Sequence, residues 1–237
     1  MSTGEVWLIP SLLAEDATEC IPAYILPRVL QCQVLFVENE RTARRFLKKL
    51  SREIVIDNFE WHTIHKTEPT VIKSFQDALK QGKHVGIISE AGCPGVADPG
   101  QILVAAAQDI GAKVNPLVGP NSILLALMAS GLNGQQFRFH GYLPIDQFER
   151  KNKIKQLEQE SIQQNTTQIF IETPYRNNQL LQDLVQQLSP NTRICVAVNL
   201  THPTEEIILT KSAKDWKKEK ADFHKKPAIF LMGVQLT

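Results

Sequence analysis

Short runs of β-branched and aliphatic residues alternate with helical stretches through the first half of the chain, and this alternation restricts the fold more than any other feature. The runs at 6–9, 34–38, 54–57, 84–89 and 113–118 read as strands, separated by helices expected at 22–31, 40–50, 69–81 and 98–110. Pro69 suits a first helical turn, and Gly82 and Gly111 suit C-terminal stops. A strand-helix-strand series of this kind builds a mostly parallel sheet covered by helices. Gly119-Pro120-Asn121 then interrupts the pattern before 122–130, a helix apolar on all sides and therefore expected to be buried.

The second half differs. Strands are expected at 137–143, 168–172, 193–199, 206–210 and 228–234, with helices at 149–164, 175–188 and 213–220. Few residues separate the last three strands, so antiparallel pairing is expected there and the second sheet should be mixed. The fold class is α/β, in two domains: 1–117, and 118–237 with a smaller share of parallel strands.

Composition bounds what such a chain can do. With 237 residues and 43% hydrophobic content it can bury a core in each domain. A net charge of +1 supplies no global field for nucleic acid or for an anionic membrane, so any RNA contact must be a local patch. Two basic groups offer one: Arg41, Arg44, Arg45, Lys48, Lys49 and Arg52, and a second run over 211–226. A solvated helix face is the commoner explanation of such runs, and only the place of the first group beside the expected cleft favours RNA for it. No apolar run approaches the roughly 20 residues of a membrane span, and the opening residues lack the regions of a signal peptide, so no membrane association and a cytoplasmic location are expected. Cys20, Cys32, Cys93 and Cys195 are scattered without ligand spacing, which favours reduced thiols and no metal site.

One loop stands out. Residues 89–100, Ser89-Glu90-Ala91-Gly92-Cys93-Pro94-Gly95-Val96-Ala97-Asp98-Pro99-Gly100, join an expected strand to an expected helix. Ligands of open α/β sheets collect at the carboxyl ends of strands, and glycines let the main chain approach them. The loop carries Glu90 and Asp98 but no cation, and neither phosphate-binding glycine fingerprint occurs in the chain. It suits a neutral or cationic ligand; an ordinary turn is the plainer alternative.

The same residues resemble the S-D-A-G-T-P-x-x-x-D-P-G signature of the tetrapyrrole-methylase-like superfamily, closest to its branch of 16S ribosomal RNA (cytidine 2′-O) methyltransferases. The likeness continues in Gly119-Pro120-Asn121-Ser122 and Ala129-Ser130-Gly131-Leu132, in Gly141-Tyr142-Leu143-Pro144, and in Glu172-Thr173-Pro174-Tyr175-Arg176. Upstream, Glu38-Asn39-Glu40-Arg41 is similar to E-D-T-R, and Thr67-Glu68 falls where the family has Asn-Glu. The chain departs from the pattern at Pro10-Ser11-Leu12-Leu13-Ala14-Glu15, which replaces P-T-P-I-G-N, and at Asn39, Glu90 and Cys93.

The resemblance implies a two-lobed homodimer that binds S-adenosyl-L-methionine in a cleft between lobes and methylates 16S rRNA at a ribose 2′-oxygen. It implies cofactor contacts from Pro10, Gly92, Cys93, Pro94, Val96, Ser122 and Ile123, with Thr173, Val198 and Ala228 in an adenine pocket. A ribose hydroxyl needs help in losing its proton, for which Glu38, Glu90 and Glu68 are the candidates, with His65 behind them. Two other readings stay open: methylation of a small molecule such as a tetrapyrrole precursor, and a cofactor-binding protein without catalysis.

Overall fold

The computed structural model describes residues 3–64 and 69–234. By the density of its internal contacts the chain divides into two compact units, Met1–Asn121 and Ser122–Thr237. The first contains strands β1 (Val6–Ile9), β2 (Val34–Val37), β3 (Glu60–Thr63), β4 (Val85–Ile88) and β5 (Val114–Pro116), in the order β3-β2-β4-β1-β5, every pair parallel. Helices α1 (Ile25–Gln31), α2 (Glu40–Leu50), α3 (Pro69–Lys80) and α4 (Gln101–Asp109) supply the connections.

Side-chain alternation along the strands sorts the helices into two layers. Val34, Phe36, Val85 and Ile87 pack with Phe75 and Leu79 of α3 and Leu103 and Ala107 of α4. Leu35, Val37 and Ile88 face the other way, toward Ile25 and Val29 of α1 and Phe46 and Leu47 of α2. Gly86 keeps this second layer close: a Cβ there would sit 2.6 Å from Leu35 Cδ2 and 2.7 Å from Ile9 Cδ1.

The expected strand at 54–57 is instead a 3-10 turn, Ile56–Asn58, and the third strand lies at Glu60–Thr63. The β-branched run is spent on ending α2, because Lys48 Nζ donates to the Ile54 carbonyl at 2.7 Å and Trp61 Nε1 to that of Ile56 at 3.1 Å. Helix α4 starts at Gln101, later than expected, since Gly100 holds φ +123°, outside helical geometry.

The second unit holds α5 (Ser122–Ser130), β6 (Phe137–Tyr142), α6 (Gln147–Gln164), β7 (Thr167–Ile171), α7 (Asn177–Gln187), β8 (Arg193–Val198), β9 (Ile207–Ser212), α8 (Ala213–Trp216) and β10 (Ala228–Gly233). Its sheet, β6-β7-β10-β8-β9, is mixed: β6 and β7 run parallel, while β10 is antiparallel to β7 and β8, and β8 to β9. Helix α5 is not buried on all sides as expected. Ile123, Ala126, Leu127 and Ser130 form its buried stripe, while Leu124 and Met128 are exposed.

One buried ion pair anchors α6 to α7. Arg150 donates from Nε to Asp183 at 2.8 Å and from Nη1 to the carbonyls of Pro144 and Ile145, with both charged side chains almost fully enclosed. Asp183→Ala leaves that guanidinium without its counter-charge, and the expected cost is about 3–5 kcal/mol of stability, read as a lowered midpoint in urea unfolding.

Candidate active site

Strand β4 is the point where the first unit changes hands. Its own loop leads to α4 on one face of the sheet, whereas its neighbours β1 and β2 lead to α1 and α2 on the other. Loops that diverge from adjacent parallel strands open a crevice at the carboxyl edge, the usual ligand position in such sheets.

The loops do not simply part; they are tied together by main chain. Ser11, two residues beyond β1, forms an isolated antiparallel bridge with Gly92, its N–H donating to the Gly92 carbonyl at 2.8 Å and the Gly92 N–H returning at 3.3 Å. The Ser11 hydroxyl donates to the Ser89 carbonyl at 3.0 Å. Gly92 holds φ +76°, a left-handed conformation that costs an L-residue about 1–2 kcal/mol. Behind the bridge, Gly119 lies against Pro10 so closely that a Cβ would fall 2.1 Å from the proline Cβ.

These contacts bring Pro10, Gly92, Cys93 and Pro94 to one place together with Gly119, Pro120 and Asn121. The Cys93 thiol faces the carbonyls of Gly119 and Pro120, at 3.8 and 3.5 Å. Burial pushes its pKa up, the nearby Asp98 charge adding to the effect against a hydrogen bond with Asn121, so the thiol stays protonated and neutral near pH 7. Val96, farther along the loop, is exposed. This part of the crevice is glycine, proline, carbonyl oxygen and a neutral thiol, a lining that fits a cationic sulfonium better than a phosphate.

The candidate acids divide. Glu38 directly follows β2, and its carboxylate accepts the Glu90 N–H at 3.1 Å, so the structure brings Glu38 and the start of the glycine loop into contact. The Glu90 side chain is exposed on the same rim. Glu68 and His65 lie outside the described residues.

In the second unit Ser122 and Ile123 open α5. Thr173 follows β7, while Val198 ends β8 and pairs in register with Ala228, the first residue of β10. Since β10 is antiparallel to both β7 and β8, all three residues lie at one edge of that sheet. Glu172 and Arg176 fix Thr173 there: the buried Glu172 carboxylate accepts from the Thr173 N–H at 2.6 Å and from the Arg176 guanidinium, whose Nε also donates to the Thr173 hydroxyl at 3.2 Å. The opposite charges four residues apart were the sequence signal for that clip. Gly119 was marked by its motif, but its contact with Pro10, like the Ser11–Gly92 bridge, arises across the fold and had no local signal.

The model for tetrapyrrole (corrin/porphyrin) methylases matches residues 14–214. A protein named ribosomal RNA small subunit methyltransferase I from Vibrio cholerae is 35% identical over 153 residues, which cover 62% of this chain and 52% of that protein. Its namesakes from Mycobacterium bovis and Bacillus subtilis are 32% and 40% identical, covering 88% and 86% of the chain and 70% and 66% of their own lengths. The matched part of the chain thus spans between 52% and 70% of the length of these relatives. Among solved structures, cobalt precorrin-4 methyltransferase superposes with TM-score 0.62 at 16% identity, over 97% of this chain and 94% of the other. Uroporphyrin-III C-methyl transferase from Thermus thermophilus, complexed with S-adenyl homocysteine, gives 0.56 at 15% over 97% of each chain. The chain belongs to the tetrapyrrole (corrin/porphyrin) methylase family, a family of methyltransferases.

Proposed function

We propose that the protein uses S-adenosyl-L-methionine to methylate a ribose 2′-hydroxyl of 16S rRNA. The observation that carries the cofactor half is the lining of main chain, proline and neutral thiol on the Gly92–Cys93 side of the Ser11–Gly92 bridge, where Gly119 packs against Pro10. When bound, the cofactor supplies an electrophilic methyl group on a positively charged sulfur. Pro10, Gly92, Cys93, Pro94, Val96, Ser122 and Ile123 are the residues assigned to hold it, with Thr173, Val198 and Ala228 as candidates for the adenine. Carbonyl dipoles tolerate the sulfonium without the tight ion pair that a carboxylate would make, which would favour the ground state over the transition state.

Of the two acids among the described residues, Glu38 is the better placed to take the hydroxyl proton, since the Glu90 N–H orients its carboxylate at the rim. Glu90 and, at the edge of the undescribed segment, Glu68 are the other candidates. The rRNA half rests on similarity to the small-subunit rRNA methyltransferases. Small subunits from cells lacking the gene, incubated with labelled donor, should gain one modified ribose. Transfer of label to a tetrapyrrole precursor but not to RNA would replace this substrate with the smaller one, and donor binding without transfer to either would leave a binding protein.

The protein is also proposed to act as a cytoplasmic homodimer. No described helix is long and apolar enough to cross a membrane. Tyr142, Ile145 and Phe148, around the turn before α6, are exposed at 59%, 76% and 74%, a concentration of apolar surface that suits a second copy of the chain.

Three measurements test these assignments. Gly119→Ala forces Pro10 away from its seat, so calorimetric donor affinity should fall about tenfold or more and the melting temperature should drop by the equivalent of about 1–3 kcal/mol; unaltered affinity removes Pro10 from the site. Glu38→Gln should slow methyl transfer by about 10²-fold or more while donor affinity holds. Ile145→Asp combined with Phe148→Asp should convert a dimer to a monomer by light scattering.

A further inference from the structure

Helix α2 carries five cations, and the structure separates them by what they do. Arg44 pairs with Glu40 and its guanidinium lies over the Trp61 ring at 5.1 Å. Lys48 caps the helix end through the carbonyls of Arg52 and Ile54. Both are accounted for by the fold. Arg41, Arg45 and Lys49 are not; spaced by four, they stand in a row along one side of the helix. Arg41 makes no ion pair among the described residues.

Arg45 and Lys49 meet a single acid, Glu15, from the loop after β1. Arg45 Nη2 donates to the Glu15 carboxylate at 3.0 and 3.2 Å, and Lys49 Nζ donates to the Glu15 carbonyl at 2.6 Å and lies 3.5 Å from the carboxylate. Glu15 is otherwise bathed in solvent, 70% exposed. The three side chains, with Ser11, Leu13, Thr42, Glu90 and Ala91, enclose a cavity of about 170 Å³. Glu90 and Ala91 thus form a wall common to this cavity and to the glycine loop.

We infer that the Arg41–Arg45–Lys49 row receives the phosphodiester backbone of the RNA substrate, and that Glu15 holds the place of a phosphate until the substrate arrives. This rests on the rRNA reading above. A guanidinium and an ammonium gathered around one carboxylate form a donor set that can bind phosphate. An exposed ion pair contributes little, so a phosphate replaces the carboxylate with little loss. Successive members of the row are about 6 Å apart along the helix axis, a step that can follow a nucleic-acid strand. Arg45 and Lys49 share their cavity with Ser11, Glu90 and Ala91, so a polyanion held there lies beside the glycine loop.

Binding of a fluorescein-labelled small-subunit rRNA fragment, followed by anisotropy across a KCl series, tests the inference. Each lost phosphate contact reduces the slope of log affinity against log salt by roughly 0.7–0.9, so Arg45→Gln with Lys49→Gln should flatten it by about 1.5. Glu15→Gln should do the opposite of damage, binding about threefold tighter at low salt, a gain that misfolding does not produce. Donor affinity should be unchanged in both. A double variant with the parent's slope, or Glu15→Gln without the gain, overturns the inference and leaves the rRNA reading standing. A parent protein that neither binds nor methylates RNA overturns both.

Discussion

The first unit depends on a reversal at β4. Four apolar residues, Val85 to Ile88 with Gly86 among them, occupy the middle of a parallel sheet, buried on both faces. The loop from this strand leaves on the side opposite to the loops of β1 and β2, so three chain segments separate at one edge and leave main-chain groups without sheet partners. The Ser11–Gly92 bridge satisfies four of them, the Ser11 hydroxyl takes the Ser89 carbonyl, and Glu38 takes the Glu90 N–H. The contacts that settle the hydrogen-bond account of a diverging sheet are also those that shape the crevice. Glycine at 92 follows from this, since the bridge requires φ +76° there.

The second unit solves a different problem, the burial of charge. Arg150 and Asp183 neutralise each other beneath α6 and α7, and the Glu158 carboxylate accepts from the Ser189 N–H and the Thr192 hydroxyl. Buried pairs of this kind add little net stability but define geometry. Arg150 also holds the carbonyls of Pro144 and Ile145, which fixes the turn that displays Tyr142, Ile145 and Phe148. The Glu172–Arg176 clip does the same for Thr173. In both places a charge under the surface sets the position of a residue at it.

How much of this could be read from the chain varies with the range of the interaction. Helices α2 and α5 have the limits their local signals predict, Asn39 accepting from two N–H groups at the start of α2 and Gly131 at φ +68° after α5. The 54–57 run misled because β-branched residues favour a strand only where a partner strand exists, and Lys48 and Trp61 claim its carbonyls first. The exposed side of α5 was illegible for the converse reason: its outer residues, Leu124 and Met128, are as apolar as the inner ones, so polarity does not distinguish the faces. For the site, the loop at 89–100 and Glu38 could be located from motif and strand ends. The grip of Gly119 on Pro10 could not, since a contact across some 100 residues leaves no trace in spacing.

Electrostatics connects the two halves of the proposed reaction. A donor that carries positive charge and a substrate that carries many negative ones cannot share a pocket built for either alone. Cations against the sulfonium would repel it, and the acids at the rim, Glu38 and Glu90, oppose RNA unless cations stand beside them. On the proposed reading the signs divide over a short distance: carbonyl oxygens surround a neutral thiol at Cys93, and Arg45 and Lys49 share with Ser11, Glu90 and Ala91 the cavity beside that loop. Screening at physiological salt acts over about 8 Å, so on that reading these cations act on phosphates close to the row. A near-neutral total charge is then no argument against a nucleic-acid substrate, because what guides the polymer is the placement of a few cations beside the reacting group rather than their sum.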